Sequence, residues 1–476
     1  MNKIVKVLTV AALAMSANVF AHTEHTYLQV RPQGINLPLE YTTFNERMTA
    51  KLEDRFGGNF MVTGWYAQSS NDNKIGEYFG IHGKSEFILN YDDLTDETKC
   101  DFDLKRIINL AETGDKATVK FHPKEETWGV RFDYYQNLDK LVKGLYLKVN
   151  LPIVGVKRHM DMDIDSTDAL VKSNLYSYFK GEYTEDASGT VPGQFALDHA
   201  YINHHDGSET GVADIEVTLG YKFLNKEKYH LGLNLAIIIP TGNDGEGHDL
   251  FESIYGAGKH FGFGGGLDAQ ARIWGDCDHN IKLNLVANYR YLFESSEHRL
   301  YRIKDYHFAY LNLGRVTDSK LTPAPNALTL NSDVTPGSMF DGILAFAYNN
   351  GGFCFDLGYN MYFREDEDVH VKGDLPTGDG HAWYIAKRDI SFGTGHTTFV
   401  ASTDAQSTTA LTKDSLDSES ASTPSQFTNS VYAGLGYAFK EWDYPLMLGI
   451  GGKYEFAAKN SAIEQWQLWG KASLSF

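Results

Sequence analysis

The 476-residue sequence predicts an all-β fold: a transmembrane, antiparallel, up-and-down β-barrel of fourteen strands, with twelve as the alternative. Three observations predict it. Apolar and polar residues alternate in a dozen segments, the connections between those segments run long and short by turns, and an export signal is followed by no apolar run of 18 residues or more. Side chains point to opposite faces along a strand, so a period of two gives one greasy face and one wet face. In a bilayer, backbone polar groups must be satisfied within the protein, and a closed barrel is the only non-helical way to do this.

The segments can be taken in order. Residues 59–68 set Phe60, Val62 and Tyr66 on one face, with Trp65 on the other. In 127–136, Trp128, Val130, Phe132 and Tyr134 oppose Gly129, Arg131, Asp133 and Tyr135. In 143–151, Leu145, Leu147, Val149 and Leu151 oppose Tyr146, Lys148 and Asn150. Residues 212–223 set Ile215, Val217, Leu219, Tyr221 and Phe223 against Asp214, Glu216, Thr218 and Lys222. Residues 229–239 alternate between leucine or isoleucine and Gly232, Asn234 and Ala236. In 260–274 the polar face carries Asp268, Gln270 and Arg272, and in 281–293 it carries Lys282, Asn284, Asn288 and Arg290. Residues 340–348 and 353–363 make a hairpin about Asn349-Asn350-Gly351-Gly352, with Asp341, Asp356, Asn360 and Arg364 on the polar side. Residues 428–439, 445–456 and 464–476 complete the set. In the last, Trp466, Leu468, Gly470, Ala472, Leu474 and Phe476 share one face, against Gln465, Gln467, Trp469, Lys471, Ser473 and Ser475.

Short connections at 137–142, 224–228, 275–280, 349–352 and 440–444 are separated by long ones at 152–211, 240–259, 294–339 and 364–427; 457–463 is barely more than a turn. Short periplasmic turns, longer external loops and an even strand number go together in such barrels. Residues 84–91 and 117–121 supply the optional extra pair, which would place the acidic stretch 92–115, with Cys100, in the periplasm. Cys277 falls in a short turn and Cys354 just after another. Three cysteines make no disulfide framework, and a Cys100 disulfide to either is open only to the fourteen-strand count.

Residues 1–21 read as a signal peptide: Lys3 and Lys6, an apolar run from Val7 to Met15, then Val19-Phe20-Ala21 before the cut. That run is too short to span a bilayer core, which needs about 20 residues. Residues 22–58 then form a periplasmic extension or a lumen plug, with helix-forming residues at 41–55, and 59–476 form the barrel. The mean hydropathy of -0.35 suits a barrel, in which only alternate residues meet lipid. The chain carries 43 basic against 62 acidic residues, for a charge of -19, which becomes -21 without Lys3 and Lys6. So acidic a surface excludes nucleic acid as a partner. The 13% aromatic content fits belts at the two membrane interfaces.

This pattern, closing on Phe476, resembles the outer-membrane β-barrels of Gram-negative bacteria. The resemblance implies residence in the cell outer membrane, contact with its lipid and lipopolysaccharide, and recognition of the C-terminal strand by the barrel-assembly machinery. Ile239-Pro-Thr-Gly242 is similar to a strand-end pattern in outer-membrane transporters of hydrophobic compounds, and Leu375-Pro-Thr-Gly378 repeats it. Pro and Gly after a strand are also ordinary turn chemistry.

The candidate pore-lining residues are Arg131, Asp133, Lys148, Asp214, Glu216, Lys222, Asp268, Arg272, Lys282, Arg290, Asp356, Arg364, Lys453, Glu455 and Lys471. Opposed charges across a lumen suit hydrated polar solutes, and more than eight strands leave room for water. Asp161-Met-Asp-Ile-Asp-Ser-Thr-Asp168 begins like a calcium loop but lacks Gly at the sixth position and Glu at the twelfth. Glu365-Asp-Glu-Asp368 is either a solvated face or an anion-repelling rim, and His199, His204, His205 and Asp206 lack zinc spacing. No nucleophile signature such as G-x-S-x-G occurs, so neither catalysis nor a cofactor is expected. The expected function is a porin-like channel for small hydrophilic solutes. The alternatives are a transporter of hydrophobic compounds and a non-conducting surface barrel.

Overall fold

In a computed structural model, the structure describes residues 24–43, 56–91, 101–108, 115–188, 191–202, 207–316, 318–375, 381–386, 410–458 and 461–476. The expected signal peptide, Cys100, His204, His205, Asp206 and Pro376-Thr-Gly378 lie outside the described residues.

Twelve strands close into one sheet: β1 Gly58–Ser69, β2 Lys124–Asn137, β3 Leu145–His159, β4 Ile215–Asn225, β5 Tyr229–Ile239, β6 Gly262–Gly275, β7 His279–Leu292, β8 Gly337–Asn350, β9 Phe353–Arg364, β10 Gln426–Phe439, β11 Leu446–Ala457 and β12 Gln465–Ser475. Each pairs antiparallel with its sequence neighbours. β12 returns to β1 in unbroken register from Asn59↔Ser475 to Ser69↔Gln465, so the sheet has no free edge. The weakest seam is β3–β4, paired only from Tyr221↔Leu145 to Glu216↔Asn150. Beyond it β3 pairs with a short strand, Ser208–Val212. The segment read as one strand over 212–223 is therefore two pieces, broken at Ala213 and Asp214, where the Ala213 N–H bonds the Pro152 carbonyl.

The twelve-strand count holds and the fourteen-strand count does not. Glu86–Asn90 and Lys116–Phe121 do pair, but in a separate sheet with Phe102–Asp103 and Met162–Asp165. The reason is competition for an edge. β1 and β2 already pair with each other from Gly58↔Gln136 to Gln68↔Glu126, so nothing can insert between them. The extra pair's apolar residues, Phe87, Val119 and Phe121, are buried by other loops: Phe87, for example, packs on Phe308 at 5.5 Å between ring centroids.

Leu219, Leu233, Leu235, Ile237, Leu344, Phe346, Leu357, Val431, Leu435, Leu448, Ile450 and Leu468 project outward and exposed. Aromatics flank this band, with Tyr229, Trp274, Phe353, Tyr437 and Trp442 near the short turns and Phe263, Tyr289, Phe293 and Phe456 near the long loops. An apolar belt between aromatic girdles on a closed sheet is the architecture of a transmembrane barrel of the outer-membrane type. No helix among the described residues is long and apolar enough to cross a membrane.

The described parts of the long loops pack together. Helices α2 (Asp72–Phe79) and α3 (Ala169–Phe179) and the loop strands share one buried apolar core that includes Phe79, Phe87, Phe121, Phe179, Phe308 and Tyr310. This cap sits on the long-loop end, which the sequence reading expects to be external. Leu170, exposed on α3, and Leu141, exposed in the β2–β3 turn, should lie on opposite sides of the membrane. A membrane-impermeant thiol reagent on whole cells should label Leu170→Cys at once, and Leu141→Cys only after the outer membrane is permeabilised. The reverse pattern would invert the orientation.

Candidate functional site

The barrel interior is crossed by the amino-terminal segment. Its first described residues belong to the cap: the Thr26 N–H bonds the Ser420 carbonyl at 2.8 Å, and Leu28 and Val30 lie in the cap core. The chain then descends through the lumen to Thr43. Gly58, where β1 begins, is at the short-turn end beside Phe476. Within the lumen Asn36 caps a one-turn helix, α1 (Leu37–Tyr41), accepting from the Leu39 N–H at 3.3 Å, with Pro38 in its first turn. Asn before a Pro-containing first turn is a helix-start signal, but one turn is too short to show a period. Of the helix-forming stretch 41–55, the structure describes only 41–43. α1 ends at Tyr41, Thr42 is extended, and 44–55 lie outside the described residues.

Wall and segment fit each other in three tiers. In the upper tier, Arg31 bonds Asp341 at 2.9 Å, Glu455 at 3.2 Å and Asn360 at 2.9 Å, while Lys453 holds the other Glu455 oxygen at 2.7 Å. In the middle tier, Glu40 receives Arg131 at 2.8 Å and Lys148 at 2.7 Å, and Arg131 also bonds Asp133 at 2.7 Å. Leu37 and Leu39 are buried here against Trp65, Val154, Val286, Ile343 and Trp469. In the lower tier, Lys471 donates to the Thr42 carbonyl at 2.5 Å, and the Thr43 N–H donates to Asp356 at 2.7 Å. The wall is hollowed where these threonines pass. A Cβ on Gly434 would stand 2.1 Å from Thr42 Cγ2, and one on Gly449 would stand 2.5 Å from Thr43 Oγ1. Only glycine leaves that room.

Several of the residues predicted to line a pore thus hold the segment: Arg131, Lys148, Asp356, Glu455 and Lys471, with Asp133 and Lys453 bracing them. Arg364 donates to the Gln29 carbonyl at 3.1 Å where the segment enters. Others pair along the wall. Arg290 grips Glu216 at 2.6 Å, Asp268 contacts His230 at 3.1 Å, and Lys222 lies 5.6 and 5.1 Å from the Tyr135 and Tyr146 ring centroids. Lys282 is half-buried on the inward face of β7. Asp214 sits at the rim, in the break before β4, accepting from the Gly242 N–H at 3.3 Å. Arg272 is tied to Glu227 in the turn below, at 2.8 Å. Small pockets lie beside the segment, one lined by Glu40, Asp133, Lys148 and Glu216, another by Arg31, Asn36, Lys453 and Gln467.

The sequence reading missed Arg31, Asn36, Glu40, Thr42 and Thr43, which carry the fit from the segment's side. The inward glycines of β10 and β11 were a signal that something approaches the wall closely.

Some described members of the loop clusters have structural partners. In 161–168, Met162–Asp165 is a cap strand and Asp168 caps α3 by accepting from Leu170 and Val171. Glu365 accepts from the Ser338 N–H at 2.9 Å, leaving Asp366 and Asp368 at the surface. Glu367 is buried. Desolvation alone would raise its carboxyl, but Arg299 and Arg364 outweigh it and hold the pKa at about 2. His199 pairs with Asp198 at 2.7 Å. Cys277 is exposed in its turn and Cys354 is buried.

No family model matches the chain, and no curated protein matches it. Among solved structures it is similar to an outer-membrane channel from Pseudomonas putida F1, at 11% identity over 91% of this chain and 100% of that one, with a TM-score of 0.40. It is also similar to the Pseudomonas putida toluene transporter TodX, at 9% identity over 95% and 98% of the two chains, with a TM-score of 0.34. The NanC porin matches at 8% identity over 87% and 98%, with a TM-score of 0.29. Values this low carry no residue or role across to this chain.

Proposed function

We propose that the protein is an outer-membrane channel for small hydrophilic solutes, closed at rest by its own amino-terminal segment. One observation carries the reading: charged groups of the wall find partners on the segment. Arg131 and Lys148 meet Glu40, and Asp341 and Glu455 meet Arg31. Once the segment moves, that wall is a ring of mixed charge, which hydrated polar solutes tolerate and apolar ones do not. Solute passage then requires either displacement of residues 31–43 or rearrangement beside them.

The test is conductance in planar bilayers together with swelling of liposomes in sugars and amino acids. The native protein should open rarely. Glu40→Ala, which strips Arg131 and Lys148 of a shared partner, should open several times more often and admit polar solutes. Passage confined to alkyl or aromatic solutes would instead favour a transporter of hydrophobic compounds. The cap favours a second reading, a non-conducting surface protein, because its apolar core closes over the external mouth. Folded native and Glu40→Ala proteins that both stay silent would establish that reading and end the first.

A further inference from the structure

We propose that the external cap holds a divalent transition-metal site formed by Glu24, His82 and His307. These residues come from three parts of the chain: the start of the amino-terminal segment, the turn Ile81–Gly83 after α2, and the loop between β7 and β8. One carboxylate oxygen and one imidazole nitrogen from each histidine lie within 4.8 Å of one another. Small rotations of the three side chains would bring these atoms to the roughly 2.0–2.2 Å that a shared zinc ion requires. The two rings face each other at 4.5 Å between centroids, tilted by 49°.

Glu24 points to a ligand independently of the cluster. It is 4% exposed, and its Oε2 is buried with no hydrogen-bond partner. Its Oε1 accepts from the His82 N–H at 2.8 Å. A buried carboxylate oxygen left unpaired costs stability unless a cation or a proton meets it, and burial pushes the Glu24 carboxyl up to about 8, so a metal would displace that proton. Arg302 is the available protein cation, with Nη1 3.7 Å from Oε2. Nη1 bonds the Tyr306 carbonyl and Nη2 bonds Asp417, while Nε is buried without a partner. The guanidinium leaves Oε2 without a hydrogen bond, so the Glu24 carboxylate has a lone-pair oxygen to spare for a cation held together with the two imidazoles.

The donor set selects the metal class. Two imidazoles and one carboxylate suit Zn²⁺ and its neighbours, whereas Ca²⁺ and Mg²⁺ prefer all-oxygen shells. Three protein ligands leave a coordination position for water. The placement has a mechanical consequence, since the cation would tie the outer end of the segment that fills the lumen to two cap loops. The site itself does not depend on whether the barrel conducts.

Zn²⁺ alone is the probe, titrated calorimetrically into chelator-treated, detergent-purified protein. One Zn²⁺ should bind per chain at micromolar concentration. Glu24→Gln, His307→Ala and His82→Asn, which suits the left-handed backbone at φ 54°, should each weaken it by more than about tenfold, the loss that even outer-shell partners of a metal ligand produce. His199→Ala, outside the cluster, should bind as the native protein does and controls for the other histidines. Heat-modified gel mobility confirms that each variant is folded. Native protein that takes up no Zn²⁺ below millimolar concentration would overturn the site. So would folded His82→Asn and His307→Ala variants that bind as tightly as the native chain.

Discussion

Leu235→Arg is expected to cripple assembly of the barrel, whereas the neighbouring Asn234→Arg is tolerated. Leu235 lies midway along β5 and points outward, 58% exposed, beside Leu219 on β4 and Gly265 on β6. What reads as solvent exposure is, for a barrel in a bilayer, contact with acyl chains. A charge there costs about 2–4 kcal/mol at the membrane midplane, and a long side chain at mid-strand cannot reach either interface. Asn234 points inward between Gly220 and Gly266, toward a polar interior that hydrates or pairs a guanidinium. The measurement is the fraction of heat-modifiable, folded protein recovered in liposomes, followed by urea titration. Equal recovery of the two variants would mean that the inside and outside of β5 are reversed.

That contrast was legible because it rests on period two alone, as was the pairing of most strands, since consecutive strands joined by short turns have little choice of partner. Trp65 looked like an exception among the inward residues. Its ring lies against Gly129 on the next strand, where a Cβ would stand 2.6 Å from Trp65 Cη2. The exception therefore carried information about a neighbouring glycine. The strand count was harder to read. Phe87, Val119 and Phe121 alternate like lipid-facing residues, but alternation states only that one face is buried, and here the cap rather than lipid buries it. The interior was half legible. Arg131 and Asp133 are two apart on one strand, so their ion pair follows from the strand itself. The third partner, Glu40, arrives from a segment without periodicity. Glu24, His82 and His307 are separated too widely in sequence for spacing to suggest that they meet.

Arg31→Ala should release the amino-terminal segment from the lumen more effectively than any other single change within it. Arg31 spreads three donors over Asp341, Glu455 and Asn360, and its guanidinium lies 4.7 Å from the Tyr362 ring centroid. Both carboxylates are almost wholly buried. Removing the cation leaves Lys453, Thr428 and Gln465 to serve Glu455 and strands Asp341 with hydrogen bonds from Asn360 and the Leu37 N–H. Deleting one member of a buried ion pair typically costs about 3–5 kcal/mol, because the remaining charge stays out of water. That loss falls on docking of the segment, not on the strand ladders, so the barrel should remain folded. Arg31→Lys should recover part of the effect. A lysine keeps the charge but lacks the planar fork that reaches two carboxylates at once. The readout is hydrogen exchange of the backbone amides over residues 31–43. Protection should fall sharply in Arg31→Ala, less in Arg31→Lys, and not at all in β1 or β12. If all three proteins exchanged alike, the segment would be held by Leu37, Leu39 and the glycine hollow instead, and the charged wall would not be its latch.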